Sequence, residues 1–214
     1  MHAVKWRRAS RAGVAALVLA GLALVSVAVT GEQRRAGLGS FNAAADVAAQ
    51  ELPAPICTPG VLTPAQTAGP FYKSGTPERT VLFEPGMSGT RLLLSGYVLT
   101  SDCQPVPGAW LDFWQADANG QYDNRGYGLR GHQYTDAAGR YTLDTVIPAE
   151  YPGRTSHIHV KVQPPGGAVL TSQLYFPDAR RNATDSIFDA ALMVAVQDSA
   201  DGRLGTFDFV VPTE

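Results

Sequence analysis

This chain has no glycine-rich nucleotide-binding motif, no internal repeat and no sustained helical period in 214 residues. Those absences remove the common nucleotide-dependent and solenoid architectures from consideration. Charge is also sparse, at 17% of residues, against 45% hydrophobic. That balance fits a packed globular protein and not a disordered one. No basic excess is available for a nucleic acid or an anionic membrane surface. Outside residues 1–28, which hold four basic residues and no acidic one, 13 basic residues face 19 acidic ones.

The N-terminus reads as a leader. Lys5, Arg7, Arg8 and Arg11 form a basic stretch, and Gly13 to Thr30 carry no charge. Small residues at Ser26 and Ala28 provide a cleavage site after Ala28. Residues 1–30 are therefore expected to be a secretory signal or, left uncleaved, a membrane anchor through residues 13–30. The Arg7-Arg8 pair is compatible with twin-arginine export. Residues 31–56, Ala-rich with some Gly and Gln and scattered charge, read as a low-complexity linker. The expected location is outside the cytoplasm: extracellular, cell-envelope or periplasmic.

Cysteine is limited to Cys57 and Cys103. In an exported protein, an even count at the edges of one β-rich region points to a disulfide between them; the competing reading is two buried thiols.

Glycine and proline are plentiful, 22 and 15 residues, as an all-β fold with many turns requires. From Arg91 onward short strand-like runs alternate with turns. These are Arg91 to Thr100, Ala109 to Trp114, Arg140 to Val146, His157 to Val162, Leu170 to Phe176, Leu192 to Val196 and Thr206 to Val211. Asn119-Gly120 is a strong turn signal, and a helical turn fits Asp185 to Ala191. In the second run Leu111 and Phe113 share one face, while Trp110, Asp112 and Trp114 share the other. The pattern predicts an antiparallel β-sandwich of about seven to nine strands over residues 57–214.

Histidine is scarce too. Beyond His2 there are only His132, His157 and His159. In a strand, His157 and His159 project from the same face and can grip one metal ion. What completes such a site is open from the histidines alone. His132 is one candidate. A cupin-type site needs a glutamate a few residues on, where Gln163, Pro164 and Pro165 stand instead. Tyrosines are better placed: Tyr151 lies six residues before His157 across a Pro-Gly turn, and Tyr122 follows the Trp114 strand. A phenol of reference pKa about 10 is held as phenolate at neutral pH only by a strong Lewis acid, and ferric iron suits a mixed phenolate–imidazole set.

Several motifs follow one another in order: Trp114-Gln115-Ala116-Asp117-Ala118-Asn119-Gly120-Gln121-Tyr122, Arg130-Gly131 with Thr135-Asp136 and Gly139-Arg140-Tyr141, Ile147-Pro148-Ala149-Glu150-Tyr151, Arg154-Thr155-Ser156-His157-Ile158-His159 and Thr171-Ser172-Gln173-Leu174-Tyr175-Phe176. Together they resemble the intradiol ring-cleavage dioxygenases, the non-haem ferric enzymes related to protocatechuate 3,4-dioxygenase and catechol 1,2-dioxygenase. Upstream, Gln66-Thr67-Ala68-Gly69-Pro70-Phe71-Tyr72 resembles the family's substrate-flanking segment. The resemblance implies a mononuclear Fe3+ held by Tyr122, Tyr151, His157 and His159, with Tyr151 also accepting a substrate proton. It implies that Arg154 and Gln173 stabilise charge on the substrate ring, with Phe71 and Tyr72 as pocket walls. A catechol and O2 would be the partners, and a cis,cis-muconate-type diacid the product. Where catechol and hydroxyquinol dioxygenases resemble one another in a helical N-terminal region that helps dimerise them, the leader and linker are expected here, so that mode of dimerisation is not expected.

Two other readings compete. A non-catalytic secreted sandwich of prealbumin or Cna-B type accounts for the strands and turns, but leaves the tyrosines, histidines, Arg154 and Gln173 as coincidence. A zinc hydrolase would need His132 to join His157 and His159.

Overall fold

A computed structural model describes residues 53–212. The described residues fall within one compact unit. The leader or anchor expected at residues 1–30, and the linker up to residue 52, lie outside the described residues. Among the described residues no helix is long and apolar enough to cross a membrane.

Among the described residues nine strands form two sheets: β1 (Arg91–Thr100), β2 (Trp110–Gln115), β3 (Arg130–Tyr134), β4 (Arg140–Val146), β5 (His157–Gln163), β6 (Leu170–Tyr175), β7 (Ala195–Ser199), β8 (Gly202–Thr206) and β9 (Phe209–Val211). One sheet runs β4-β1-β8-β7, with β9 also on β1; the other runs β3-β2-β5-β6. The all-β sandwich read from the sequence is what the chain forms. The second sheet is antiparallel throughout, whereas β1 pairs in parallel with both β8 and β9. The helical turn expected at Asp185 to Ala191 is a short 3-10 turn at Ala190–Leu192, so β7 begins later than the apolar run implies.

Period-two alternation builds the core. Leu92, Leu94 and Val98 of β1, Leu143 of β4, Leu111 and Phe113 of β2, and Ile158, Val160 and Val162 of β5 are buried between the sheets. Burying each such side chain is worth about 1.5–3 kcal/mol. The opposite face of the second sheet carries polar and aromatic residues, yet it is buried too: Trp114, His157, His159 and Gln173 have almost no exposed surface. The cover is the segment before β1. It runs across β6, with Gln66 N donating to the Thr171 carbonyl at 2.7 Å and Ser172 Oγ to the Pro64 carbonyl at 2.8 Å. Cys57 and Cys103 form a disulfide that fastens the start of this segment to the turn after β1.

Candidate metal centre and its roof

Sheet register sets the site. On the covered face His159 sits opposite Trp114 on one side and Gln173 on the other, and His157 sits opposite Tyr175. Two loops add the tyrosines. Pro152 and Gly153 make a tight turn in which Arg154 N donates to the Tyr151 carbonyl at 2.9 Å and Tyr151 N returns the bond at 3.3 Å. Gly153 takes the positive φ of 83° that the third position of a type II turn requires. Tyr151 and Arg154 thereby leave the turn side by side. Tyr122 follows a turn in which the Asp117 carboxylate accepts the N–H groups of Asn119 and Gln121 at 2.8 and 2.9 Å. Gly120 lets this turn lie against the other loop, because a Cβ there would stand 3.0 Å from the Glu150 carbonyl oxygen. Just after Tyr122, the Asp123 carboxylate gathers the N–H groups of Arg125, Gly126 and Gly128. Those bonds hold it down at a pKa of about 2.

Tyr122, Tyr151, His157 and His159 form a closed circuit of neighbouring rings. Successive centroids are 5.9 Å apart from Tyr122 to Tyr151, 5.6 Å to His157, 4.7 Å to His159 and 6.3 Å back to Tyr122. His157 Nε2 and His159 Nε2 are 3.1 Å apart. Two imidazole nitrogens bound side by side to one first-row ion at ~2.1 Å stand about 3 Å apart, so the pair is already spaced for shared coordination. His157 Nδ1 donates to the Thr155 carbonyl at 2.6 Å, which leaves the lone pair on Nε2.

The electrostatics favour a strong cation. Burial, then Arg154, pushes His157 down to about 4; burial, then His157 and Arg154, pushes His159 well below its ordinary value. Both imidazoles are neutral at neutral pH. The Tyr122 hydroxyl is buried without a hydrogen-bond partner. Burial, followed by nearby Tyr151, drives its pKa far above the usual phenol value, although Arg154 and Arg130 pull the other way. Tyr151 lies close enough to raise it but outside hydrogen-bonding geometry. An orphaned phenol beside two neutral imidazoles fits a trivalent ion that supplies the charge a phenolate needs. Among the described residues no three His, Cys, Asp or Glu side chains converge. His132 is elsewhere, with Nδ1 2.9 Å from the Thr76 carbonyl and its ring against Trp110 and Tyr134. The three-histidine hydrolase arrangement is not assembled.

The surroundings are ordered as well. Trp114 stacks on His159, with centroids 4.8 Å apart and planes 2° from parallel. Phe71 stacks on Tyr122 at 4.4 Å. Gly69 lies over His159, where a Cβ would be 3.4 Å from Cε1. Tyr72 stands one step back: its ring meets the edge of Trp114 at 4.8 Å, and its hydroxyl donates to Asp112 at 3.2 Å. Burial, then Asp112, raises that hydroxyl to about 12. Arg154 Nη2 donates to Gln173 Oε1, and Gln173 Nε2 donates to the Thr67 carbonyl at 2.9 Å.

Sequence reasoning did not single out Asp185, whose carboxylate accepts from Arg154 Nε at 2.9 Å, or Arg130. The Arg130 guanidinium donates to the Phe71 and Asp123 carbonyls and lies over the Tyr122 ring. Tyr175, a motif residue that reads from the sequence as strand packing, lies on the face of Gln173 by strand alternation, with its hydroxyl 3.2 Å from Gln173 Oε1.

A two-sheet sandwich with a tyrosine–histidine circuit on one covered face defines the class of protein. The Dioxygenase family model matches residues 67–211, and the chain belongs to the intradiol ring-cleavage dioxygenase family. The dioxygenase domain of a dioxygenase carbohydrate-binding protein fusion from Streptomyces sp. SirexAA-E is 51% identical with a TM-score of 0.71, covering 72% of this chain and 100% of that one. The 3-chlorocatechol 1,2-dioxygenase of Rhodococcus opacus 1CP is 26% identical with a TM-score of 0.67, covering 71% and 73%. The hydroxyquinol 1,2-dioxygenase of Nocardioides simplex is 28% identical over 153 residues, 60% of this chain and 52% of that protein. The chain thus spans about half the length of the curated relatives it matches.

Proposed function

We propose that this protein cleaves a catechol-type ring between its two hydroxyl-bearing carbons, with both atoms of O2 entering a cis,cis-muconate-type diacid. The observation that carries this is the closed circuit of Tyr122, Tyr151, His157 and His159 around two imidazole nitrogens 3.1 Å apart. These four side chains would hold Fe3+, which supplies Lewis-acid polarisation of the bound catecholate.

The remaining work belongs to the chain itself. Tyr151 Oη takes one catechol proton. The Arg154 guanidinium and the Gln173 amide offset negative charge that builds on the ring, in a buried setting where such dipoles act strongly. Phe71, stacked on Tyr122, walls the ring in and excludes water, with Tyr72 set against Trp114 one step back. The uncharged N-terminal stretch behind four basic residues supports export, so the catechol would be met outside the cytoplasm.

The test is to load the purified protein with Fe3+ and follow colour and oxygen uptake. A tyrosinate–iron charge-transfer band and one O2 consumed per catechol, with diacid formed, are expected. Fully iron-loaded protein that takes up no oxygen with catechol, protocatechuate or hydroxyquinol overturns the reading.

A further inference from the structure

Arg154 is held from two sides, and one of those sides has no part in the reaction as described so far. Its Nε donates to Asp185 Oδ2 at 2.9 Å and its Nη2 to Gln173 Oε1. The same Asp185 oxygen accepts from Thr155 N at 2.9 Å, and Asp185 Oδ1 accepts from Ile187 N at 3.1 Å. The Ile187 carbonyl lies 3.0 Å from the Tyr175 hydroxyl, which is also 3.2 Å from Gln173 Oε1, so its single proton is shared between them. The bonds therefore close on themselves: Arg154 to Gln173, Gln173 to Tyr175, Tyr175 to Ile187, Ile187 to Asp185 and Asp185 back to Arg154.

Two further contacts lock the loop between β6 and the 3-10 turn into this circuit. Thr155 Oγ1 donates to Asn182 Oδ1 at 2.7 Å, and Gln66 Nε2 donates to the Ile187 carbonyl at 3.1 Å. The Asp185 side chain is 1% exposed. A carboxylate so buried is costly unless paired, and here its partners, Arg154, Thr155 and Ile187, belong to the Arg154 turn or to its own loop.

We propose that Asp185 is a positioning residue for Arg154. It fixes the plane of the guanidinium so that the edge not bonded to Asp185 is presented to Gln173 and the substrate. This rests on the ring-cleaving reading above. A long arginine side chain has many rotamers, and the two-point grip from Asp185 and Gln173 removes that freedom before substrate arrives. The burial of Arg154 would by itself lower its pKa, but Asp185 outweighs that and raises it, so the cation persists. The loop carrying Asp185 thereby becomes a working part of the site, although it supplies no group to the reacting atoms.

The test uses the full chain loaded with Fe3+, with catechol and hydroxyquinol as substrates. Asp185→Asn is expected to keep wild-type iron content and visible band, to lower kcat about 10–100-fold, and to change KM less than about threefold. Asp185→Glu, which keeps the charge, should recover part of kcat. In an Arg154→Ala background, Asp185→Asn should cost less than about twofold further, because its effect passes through Arg154. Wild-type kcat in Asp185→Asn, or full additivity with Arg154→Ala, overturns the proposal. If Asp185→Asn does not fold, Tyr175→Phe opens the same circuit elsewhere. A lowered kcat at unchanged iron content is then expected, and an unchanged kcat overturns the proposal. Wild-type protein that binds iron but consumes no oxygen overturns the dioxygenase reading instead, which separates the two failures.

Discussion

His157 Nε2 and His159 Nε2 face each other across 3.1 Å in a fully covered part of the sheet, with Thr155 holding the far side of one ring and Trp114 stacked on the other. Neighbouring histidines with no cation between them gain little from such closeness, and both lose hydration. The arrangement is intelligible as a site kept ready for a metal, and it makes several consequences measurable.

The first concerns Tyr122. Its buried hydroxyl has no partner, so the metal-free protein carries a desolvated donor. Tyr122→Phe keeps the stack on Phe71 and removes that penalty. The metal-free variant should be as stable as wild type or more stable by about 1 kcal/mol. It should also bind Fe3+ more weakly and lose much of the visible band. Urea unfolding of metal-free protein and a ferric titration read the two halves; a clear destabilisation would show that the hydroxyl has a structural partner after all.

The second concerns pH. His157 has a folded pKa of about 4 and His159 lies well below its ordinary value, against about 6.5 unfolded. The unfolded chain therefore binds more protons in this window, and stability falls as pH drops from 6.5 toward 4. His157 alone accounts for roughly 3 kcal/mol across that range. Urea midpoints of metal-free protein at pH 7.5, 6.5 and 5.5 should decline, and the slope should shrink in His157→Asn. A flat profile in wild type would mean that the histidines are solvated.

These consequences also mark what could be read from residues alone. Strand alternation was legible: it put Leu111 and Phe113 in the core, and His157 with His159 on one face. The Pro152-Gly153 turn was legible as the device that returns Tyr151, because only a few residue types tolerate its geometry. The burial of the polar face was not. It depends on the segment before β1 folding across β6 through backbone bonds such as Gln66 to Thr171, and those bonds leave no side-chain signature. Asp185 was invisible for a related reason. It meets Arg154 from 31 residues away, through a loop whose path no local pattern specifies. Parallel pairing of β1 with β8 and β9 likewise reflects the chain's return path, not any feature of the strands.

Gly69 tests the roof. Its φ of 62° strains any side chain, and a Cβ there would come into van der Waals contact with His159 Cε1 at 3.4 Å. Gly69→Ala should cost about 1 kcal/mol through backbone strain. Because relief of that strain would shift the backbone lying in contact with His159, oxygen uptake by the iron-loaded protein should fall more steeply than stability does. Thermal unfolding and kcat/KM measured on one preparation separate the effects; equal activity in the variant would place the roof farther from the ring than the geometry shows.

The disulfide links this roof to stability at large. Cys57 and Cys103 are 46 residues apart in sequence. Restricting that much of the unfolded chain contributes about 4 kcal/mol in the chain-entropy model. For a domain of this size, that corresponds to a fall in Tm of roughly 10 °C on reduction. The consequence reaches the site because the bridge tethers the segment that leads through Pro64 and Gln66, both bonded to β6, to Thr67 and Phe71 above the rings. Cys57→Ser/Cys103→Ser protein should therefore melt earlier and, below its Tm, leave the metal centre more open to water. Faster removal of iron by an external chelator than in wild type reads that opening. An unchanged chelation rate would mean that the β6 bonds hold the roof without the tether.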